Sequence, residues 1–251
     1  TGATDSTAGI QAAINSDPTR PVFLGPGTYR LDNMLTLNNG QVLQCSGRTI
    51  TYFSVNSSTF NMAALGVIRL GTAEPGGELF DCGFKFTQPD SSTRANIVQY
   101  PPAIYAGAAP RFIIDRVRIE RGWKCLTATG NSGGANIGLI ECGAFSDSGT
   151  IEFNGSLDFI RISHIQCWPF GILGVIPNAL SVYTDQTTNC MSIGRVDGLE
   201  IDGLSAYKTN VRFTAAAGGT AIPYLIDNLQ LDLDGADFIV EPATNTHIVI
   251  T

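Results

Sequence analysis

Short runs in which apolar and polar residues alternate recur through most of the chain. Segments 158–167 and 197–206 both carry apolar residues at their third, fifth, eighth and tenth positions. Because successive side chains of a β-strand point to opposite faces, this alternation predicts strands that bury one face. Partial copies of the same pattern begin at residues 115 and 227. The four copies therefore start at residues 115, 158, 197 and 227, which lie 43, 39 and 30 residues apart. This spacing indicates stacked turns of one chain, the longer intervals holding two turns or an insertion.

The first residues follow a helical pattern instead. Ile10, Ala13 and Ile14 recur at helical spacing after residues that are good N-caps, which predicts a helix over residues 6–16. The segment from there to residue 31 predicts a strand, a turn and a strand. A lone short helix cannot bury its apolar side unaided, and the pattern that follows predicts strands. We therefore expect this helix to cover the open end of a stack of strands.

The N-terminal segment also carries a family resemblance. Residues 2–14 read GATDSTAGIQAAI, and residues 22–31 read VFLGPGTYRL. This pair of runs resembles the opening of the pectate-lyase-like right-handed parallel β-helix superfamily, and in particular the β-helix of bacteriophage tailspikes. The family usually has Gly-Asp-Gly before Asp5, and often a second Asp where this chain has Ser6. The resemblance implies an all-β fold: a right-handed, single-stranded parallel β-helix with a short N-terminal capping α-helix.

The resemblance also implies a domain organisation. We expect an N-terminal cap over residues 1–31 and a parallel β-helix body over residues 32–251. Four prolines between residues 88 and 111 predict a loop excursion from that body. Because the superfamily includes lyases, hydrolases, epimerases and binding proteins, its fold does not by itself imply an activity.

Composition excludes some classes of partner. The net charge of −7 argues against nucleic acid, which requires a basic surface. No apolar run approaches the length of a membrane span, so we expect no membrane insertion. The chain opens inside its first motif, which favours a segment of a longer protein or a processed one.

The six cysteines are spread along the chain without any Cys-x-x-Cys spacing, and only His164 and His247 could add nitrogen ligands. We therefore expect no metal site and no cofactor. Disulfides are possible on the count alone. Cys82, Cys142 and Cys167 nevertheless sit among apolar strand residues, which favours reduced, buried thiols and folding in a reducing cytoplasm.

Alignment of the copies places polar side chains in outward columns. One column holds Arg118, Arg161, Glu200 and Gln230, and the next holds Glu120, Ser163, Asp202 and Asp232. Neighbouring turns are about 4.8 Å apart, so carboxylates one or two turns apart match the spacing in glycosidases. Glu200, Asp202 and Asp232 are therefore the catalytic candidates. The alternative is that they are solvated charges, and the galacturonase and lyase motifs of the superfamily are not recognisable.

Aromatic residues at strand ends give a binding hypothesis. Sugar rings pack their C–H faces on aromatic rings whose polar tips stay hydrated. The candidates are Trp123, Trp168, Phe170, Tyr183 and Tyr207, with His164 beside them at a bend. The alternative is that some of these rings fill the corners of the core.

The resemblance and these residues together predict a phage tailspike-type protein that binds bacterial surface polysaccharide for host attachment. The alternatives are a polysaccharide depolymerase on the same β-helix, acting as a glycoside hydrolase or a lyase, and a bacterial pectin-type enzyme. The resemblance further implies a homotrimer that contacts other tail or virion proteins. The expected location is the virion tail after folding in the host cytoplasm; the alternative is a secreted bacterial protein.

Overall fold

The protein is described by a computed structural model that covers residues 2–107, 109–171, 179–194, 196–207, 211–213, 222–232, 238–240 and 246–250. Parallel β-strands are the main regular structure in these residues. The two α-helices are α1 (Thr7–Ser16) and α2 (Ala179–Thr187), and a short 3₁₀ turn covers Arg94–Asn96.

The strands form three rows in which each strand pairs with its equivalent from the next turn of the chain. Row one contains β1 (Val22–Leu24), β4 (Val42–Cys45), β7 (Glu78–Phe80) and β10 (Ile113–Asp115). Row two contains β2 (Gly27–Arg30), β5 (Thr51–Val55), β8 (Gly83–Phe86) and β11 (Val117–Gly122). Row three contains β3 (Leu35–Thr36), β6 (Ile68–Arg69), β9 (Ile104–Tyr105), β12 (Leu126–Thr129), β14 (Ile151–Asn154) and β16 (Met191–Ile193).

Later turns merge rows one and two into single long strands. These are β13 (Asn136–Ala144), β15 (Ser156–Cys167), β17 (Val196–Tyr207) and β19 (Ile222–Asp232). Strand β21 (Thr246–Ile250) pairs with the row-one part of β19. A separate pair joins β18 (Val211–Phe213) to β20 (Phe238–Val240). Every strand pairing in the described residues is parallel, an arrangement compatible with a β-helix or solenoid-like fold.

The core is built from apolar residues that stack in register from turn to turn. One such column in row one consists of Leu43, Leu79, Ile114, Ile137, Ile162 and Ile201, all buried. Because the side-chain period of a strand is two, the residues between them face outward. The alternation in the sequence therefore predicted the buried face correctly.

The strand register confirms one of the sequence alignments and corrects two. Ile162 lies opposite Ile201, which is the predicted step of 39 residues. The alignment of the copies paired Val117 with Ile160 and Asp197 with Asp227. In the structure Val117 is in register with Ile165, through Ile140 on the strand between them, and Asp202 lies opposite Asp227. Both outer copies are therefore displaced by five residues from the prediction. The displacement arose because rows one and two share the same alternating pattern. Sliding one row onto the next keeps every apolar position inward.

Helix α1 closes the first turn through specific hydrogen bonds. Ile10 and Ile14 are buried, whereas Ala13 is exposed although the pattern placed it on the apolar side. The Gln11 amide pairs with the backbone of Thr36 in both directions, at 2.9 and 3.0 Å, as a neighbouring strand would. The buried Gln41 amide donates to three carbonyls at and beyond the C-terminal end of α1, at 3.0–3.2 Å. These bonds satisfy backbone groups that a helix end leaves open.

The segment predicted as a loop excursion at 88–111 contains strand β9, which belongs to row three. The strand-free part precedes it and is pinned to the body. Tyr100 is buried, and its hydroxyl donates to the Thr87 carbonyl and accepts from the Ser57 amide. Gln88 and Val98 hydrogen-bond each other at 2.7 and 2.9 Å, which closes the base of the loop.

The prediction of reduced cysteines is wrong. Three disulfides join Cys45 to Cys82, Cys125 to Cys142 and Cys167 to Cys190, with Cα separations of 5.0, 5.8 and 5.7 Å. All six cysteines are buried. An apolar setting was the basis of the prediction, but it suits a core disulfide equally well.

Candidate functional site on the outer face of row two

The outward side chains of row two lie in two adjacent columns. One column consists of Tyr52, Gly83, Arg118, Glu141, Gln166 and Ser205. The other, two residues further along each turn, consists of Ser54, Lys85, Glu120, Gly143, Trp168 and Tyr207. We call this surface the row-two face. At about 4.8 Å per strand, it forms a continuous strip roughly 25 Å long.

Charged side chains fill the first half of the row-two face and form a chain of ion pairs. Glu141 accepts a hydrogen bond from Arg48 Nε at 2.7 Å and lies 3.6 Å from Arg118. Glu120 accepts from Arg118 Nε at 2.9 Å and lies 3.8 Å from Lys85 Nζ. The side chains of Glu120 and Glu141 are only 13% and 12% exposed. Arg118 therefore joins two largely buried carboxylates on neighbouring strands.

Tyr52 completes this cluster. Lys85 Nζ lies 3.6 Å from the centre of the Tyr52 ring, and the Tyr52 hydroxyl donates to Glu120 at 3.4 Å. Burial raises the pKa of Tyr52, and the negative charge of Glu120 raises it further. Tyr52 is therefore held as a neutral hydrogen-bond donor. The hydrogen bond to Glu141 likewise raises the pKa of Arg48, which remains a cation.

A second group of ion pairs lies at the corner between rows one and two. Arg116 has a left-handed backbone, with φ at 52°, and donates to the Asp81 carboxylate at 2.6 and 2.9 Å. The same guanidinium binds Asp115, and Gln44 donates to Asp81 at 2.6 Å. The hydrogen bonds from Arg116 lower the pKa of Asp81, and those to Asp81 raise the pKa of Arg116. These charges extend the ionic cluster around the corner.

Aromatic rings continue from the charged half of the face. The Arg118 guanidinium carbon lies 4.4 Å from the centre of the Phe170 ring. Phe170 stacks on Trp168 at 6.4 Å, and Trp168 stacks on Tyr207 at 4.6 Å. Gly143 makes this possible, because a Cβ there would lie 2.8 Å from the Phe170 nitrogen. Trp168, Phe170 and Tyr207 are all half-buried, so each keeps surface in contact with solvent.

The structure separates Asp232 from the other two carboxylates predicted to be catalytic. Glu200 and Asp202 lie on the row-one part of β17, where Glu200 is 3.5 Å from Arg161 and Asp202 is exposed. Asp232 lies opposite Tyr207, five residues beyond the partner of Asp202, which is roughly 16 Å along the strand. That separation is too large for a glycosidase pair. The corrected register therefore does not bring these three residues into one site.

The predicted aromatic residues divide into two groups. Trp168, Phe170 and Tyr207 come together on the row-two face, as described above. Trp123 is only 8% exposed and lies under the Arg94 guanidinium at 4.4 Å, and Arg94 in turn binds Asp147 at 2.7 Å. Tyr183 is fully buried in α2, with a raised pKa caused by burial. His164 is half-buried at the corner between rows one and two.

Sequence reasoning missed the carboxylate pair formed by Glu120 and Glu141. Both face outward between inward-facing apolar residues, and this alternation was visible in the sequence. The error in register prevented their recognition, because it placed Glu120 beside Ser163 instead of next to the strand that carries Glu141. Both carboxylates contact one guanidinium, so they lie within roughly 9 Å of each other, as in some glycosidases. However, their ion pairs engage the oxygens that a general acid would need for its proton.

A shallow groove of about 290 Å³ lies on the outer surface of row one. Phe80 and Ile113 line it on the apolar side, and Asp115, Asn136 and Ser163 line it on the polar side. Gly138 keeps it open, since a Cβ there would lie 2.0 Å from the Asp115 carboxylate. The groove adjoins the corner cluster and so lies beside the row-two face.

No group of three or more His, Cys, Asp or Glu residues in the described part of the chain is placed to hold a metal ion. Neither helix of that part is long and apolar enough to cross a membrane. Comparisons with protein-family models, with curated proteins and with solved structures found no match to this chain.

Proposed function

We propose that the chain is a right-handed, single-stranded parallel β-helix of the pectate-lyase-like superfamily that acts as a tailspike-type protein. Its row-two face binds a bacterial surface polysaccharide for host attachment. The observation that carries the proposal is the aromatic stack of Trp168, Phe170 and Tyr207 beside the outward polar residues Gln166 and Ser205.

The composition of this surface suits a glycan. The C–H faces of sugars pack on aromatic rings, while amide and hydroxyl groups exchange hydrogen bonds with sugar hydroxyls. Gln166 and Ser205 supply such groups on the strands that lead to Trp168 and Tyr207. A strip roughly 25 Å long, formed by parallel strands at a regular spacing, suits a repeating polymer better than a single small molecule.

A depolymerase is the second candidate, and the Glu120–Glu141 pair is the feature that favours it. Such an enzyme needs one carboxyl group that donates a proton to the leaving oxygen and one that acts as nucleophile or base. Here Arg118 engages both carboxylates, at 2.9 and 3.6 Å. This ion pairing favours binding over hydrolysis, so attachment is the main proposal and cleavage the alternative.

Assembly and location are part of the proposal. A homotrimer that contacts other tail or virion proteins follows from the family resemblance. Disulfides are rare in cytosolic proteins, so a location in the virion tail requires that the three cystines form outside the reducing host cytoplasm; a secreted bacterial protein is the alternative.

The test is binding of the purified full chain to capsule and lipopolysaccharide preparations, followed by sizing of the glycan. We expect retention without shortening, and at least a tenfold weaker Kd for Trp168→Ala and Tyr207→Ala. Phe23→Ala is the matched control, because Phe23 is 72% exposed on β1 and lies outside the row-two face. Circular dichroism and thermal melting confirm that each variant folds. Unchanged binding by folded Trp168 and Tyr207 variants would refute the site, and shortened glycan would establish the depolymerase.

A further inference from the structure

We infer that the polysaccharide bound by the row-two face is uncharged, carrying neither carboxylate nor phosphate groups. This inference rests on the proposed function and specifies the class of glycan.

Four of the five cations on and beside the face are paired with carboxylates. The paired cations are Arg48, Lys85, Arg116 and Arg118, and the carboxylates are Asp81, Asp115, Glu120 and Glu141. Each of these cations lies within 3.8 Å of at least one of these carboxylates. Arg121, at the end of β11, donates its Nε hydrogen to the Gly171 carbonyl at 2.9 Å. In the ionic half of the face, Arg121 is therefore the one cation that an acidic ligand could meet without breaking an ion pair.

An acidic sugar would have to displace an existing ion pair. If Arg118 turned to a ligand carboxylate, Glu120 would lose its 2.9 Å partner while remaining only 13% exposed. Glu120 would keep only its longer contacts to Lys85 at 3.8 Å and to the Tyr52 hydroxyl at 3.4 Å. Weakening the pairing of a largely buried charge is unfavourable, so exchanging one ion pair for another yields no net gain in affinity.

The aromatic half of the face is uncharged and has acidic surroundings. Its outward residues are an amide, a hydroxyl and aromatic rings, from Gln166 and Ser205 to Trp168 and Tyr207. On row one, the same strands β15 and β17 carry exposed carboxylates at Asp158, Asp197 and Asp202. They also carry the exposed Arg161, which lies 3.5 Å from Glu200, so carboxylates outnumber cations there. The whole chain has a net charge of −7. This field repels a polyanion and leaves a neutral polymer unaffected.

The experiment measures binding of the full chain to a panel of purified bacterial capsular and O-antigen polysaccharides, neutral and acidic. Each acidic member is also tested after its carboxyl groups have been reduced to alcohols. We expect the ligands to be neutral, with Kd changing less than about twofold between 50 and 500 mM NaCl, because no ion pair forms across the interface.

The outcomes separate the two proposals. Tight binding of an acidic glycan that is lost on carboxyl reduction would overturn the inference and keep the proposed function. Failure to bind any member of the panel, neutral or acidic, would overturn the proposed function and this inference with it. Binding restricted to neutral members, together with reduced acidic ones, would support both.

A gain-of-function variant tests the charge argument directly. Glu141→Gln removes the partner of Arg48 and one partner of Arg118 while keeping the side-chain shape. We expect it to bind an acidic glycan at least tenfold more tightly than the parent in 50 mM NaCl. Glu152→Gln is the matched control, since Glu152 pairs with Lys124 in row three at 2.7 Å. A folded Glu141→Gln protein with unchanged selectivity would overturn the argument.

Discussion

Replacing each disulfide by a pair of alanines should destabilise the protein in the order of the loops that the disulfides close. Cys45–Cys82 spans 37 residues, Cys167–Cys190 spans 23 and Cys125–Cys142 spans 17. The chain-entropy relation gives losses of about 3.8, 3.4 and 3.1 kcal/mol for these loops. Each replacement removes a constraint on the unfolded chain and leaves the buried positions apolar, so entropy dominates the expected change.

The assay begins with a count of thiols. Alkylation of the parent chain in concentrated guanidinium without reductant should modify no cysteine, and alkylation after reduction should modify six. Denaturation in urea then gives the free energy of unfolding of each double-alanine variant by linear extrapolation. The parent measured in the same series is the reference.

Two results would refute this reasoning. Six modified cysteines in the unreduced parent would mean that the thiols are free, as the sequence pattern first indicated. Double-alanine variants within about 0.5 kcal/mol of an oxidised parent would mean that the crosslinks do not restrict the unfolded chain as the relation assumes. The predicted order is a weaker test than the magnitude, since the three values differ by less than about 1 kcal/mol.

Three further predictions concern residues that hold the fold together. Gln41→Leu should lower the free energy of unfolding by about 2–3 kcal/mol, measured in urea, because three carbonyls lose a buried donor; a loss below about 0.5 kcal/mol would contradict this. Gly138→Ala should lower the free energy of unfolding by about 1–3 kcal/mol, because its Cβ would meet the Asp115 carboxylate. Gly9→Ala, at an open position in helix α1, should raise the free energy of unfolding by about 0.5–1 kcal/mol. Equal effects of the two substitutions would refute the packing argument. Asp81→Asn should cost about 1 kcal/mol at pH 7. The hydrogen bonds from Arg116 lower the pKa of Asp81 on folding. The difference in the free energy of unfolding between parent and variant should therefore be complete above the ordinary carboxyl pKa and vanish as pH falls through the pKa of folded Asp81. A difference that stays constant down to about pH 2 would contradict this prediction.

Much of the fold was predictable because local patterns specify it. Period-two alternation gave the strands and their buried faces, and helical spacing gave α1 to within one residue. The register was less accessible. Val117 and Ile162 belong to different rows that share one alternating pattern, so the sequence alone offers two equally apolar alignments. Only the length of the intervening turns, set by tertiary packing, distinguishes them.

The candidate site was predictable only in part, for a related reason. Trp168 and Tyr207 follow directly after repeated strands, so a strand-end argument brought them together correctly. Trp123 fits the same description but is covered by Arg94, which approaches from a loop nearly thirty residues earlier and is held by Asp147. Contacts of this range leave no local signal in the sequence. The burial of Tyr183 in helix α2 likewise could not be read from its neighbours.

The disulfides also bear on where the protein folds, through their combined magnitude. Taken as independent, the three crosslinks contribute about 10 kcal/mol, which is comparable to the whole stability of an ordinary domain, roughly 5–15 kcal/mol. A chain that depended on them this heavily would be unstable in a reducing cytoplasm. Expression in the bacterial periplasm should therefore give soluble, fully oxidised protein, and expression in a reducing cytoplasm should give mainly insoluble or protease-sensitive protein. Equal yields of folded protein from both compartments, with free thiols in the cytoplasmic sample, would show that the stacked apolar core suffices and would restore the cytoplasmic route expected of a phage tail protein.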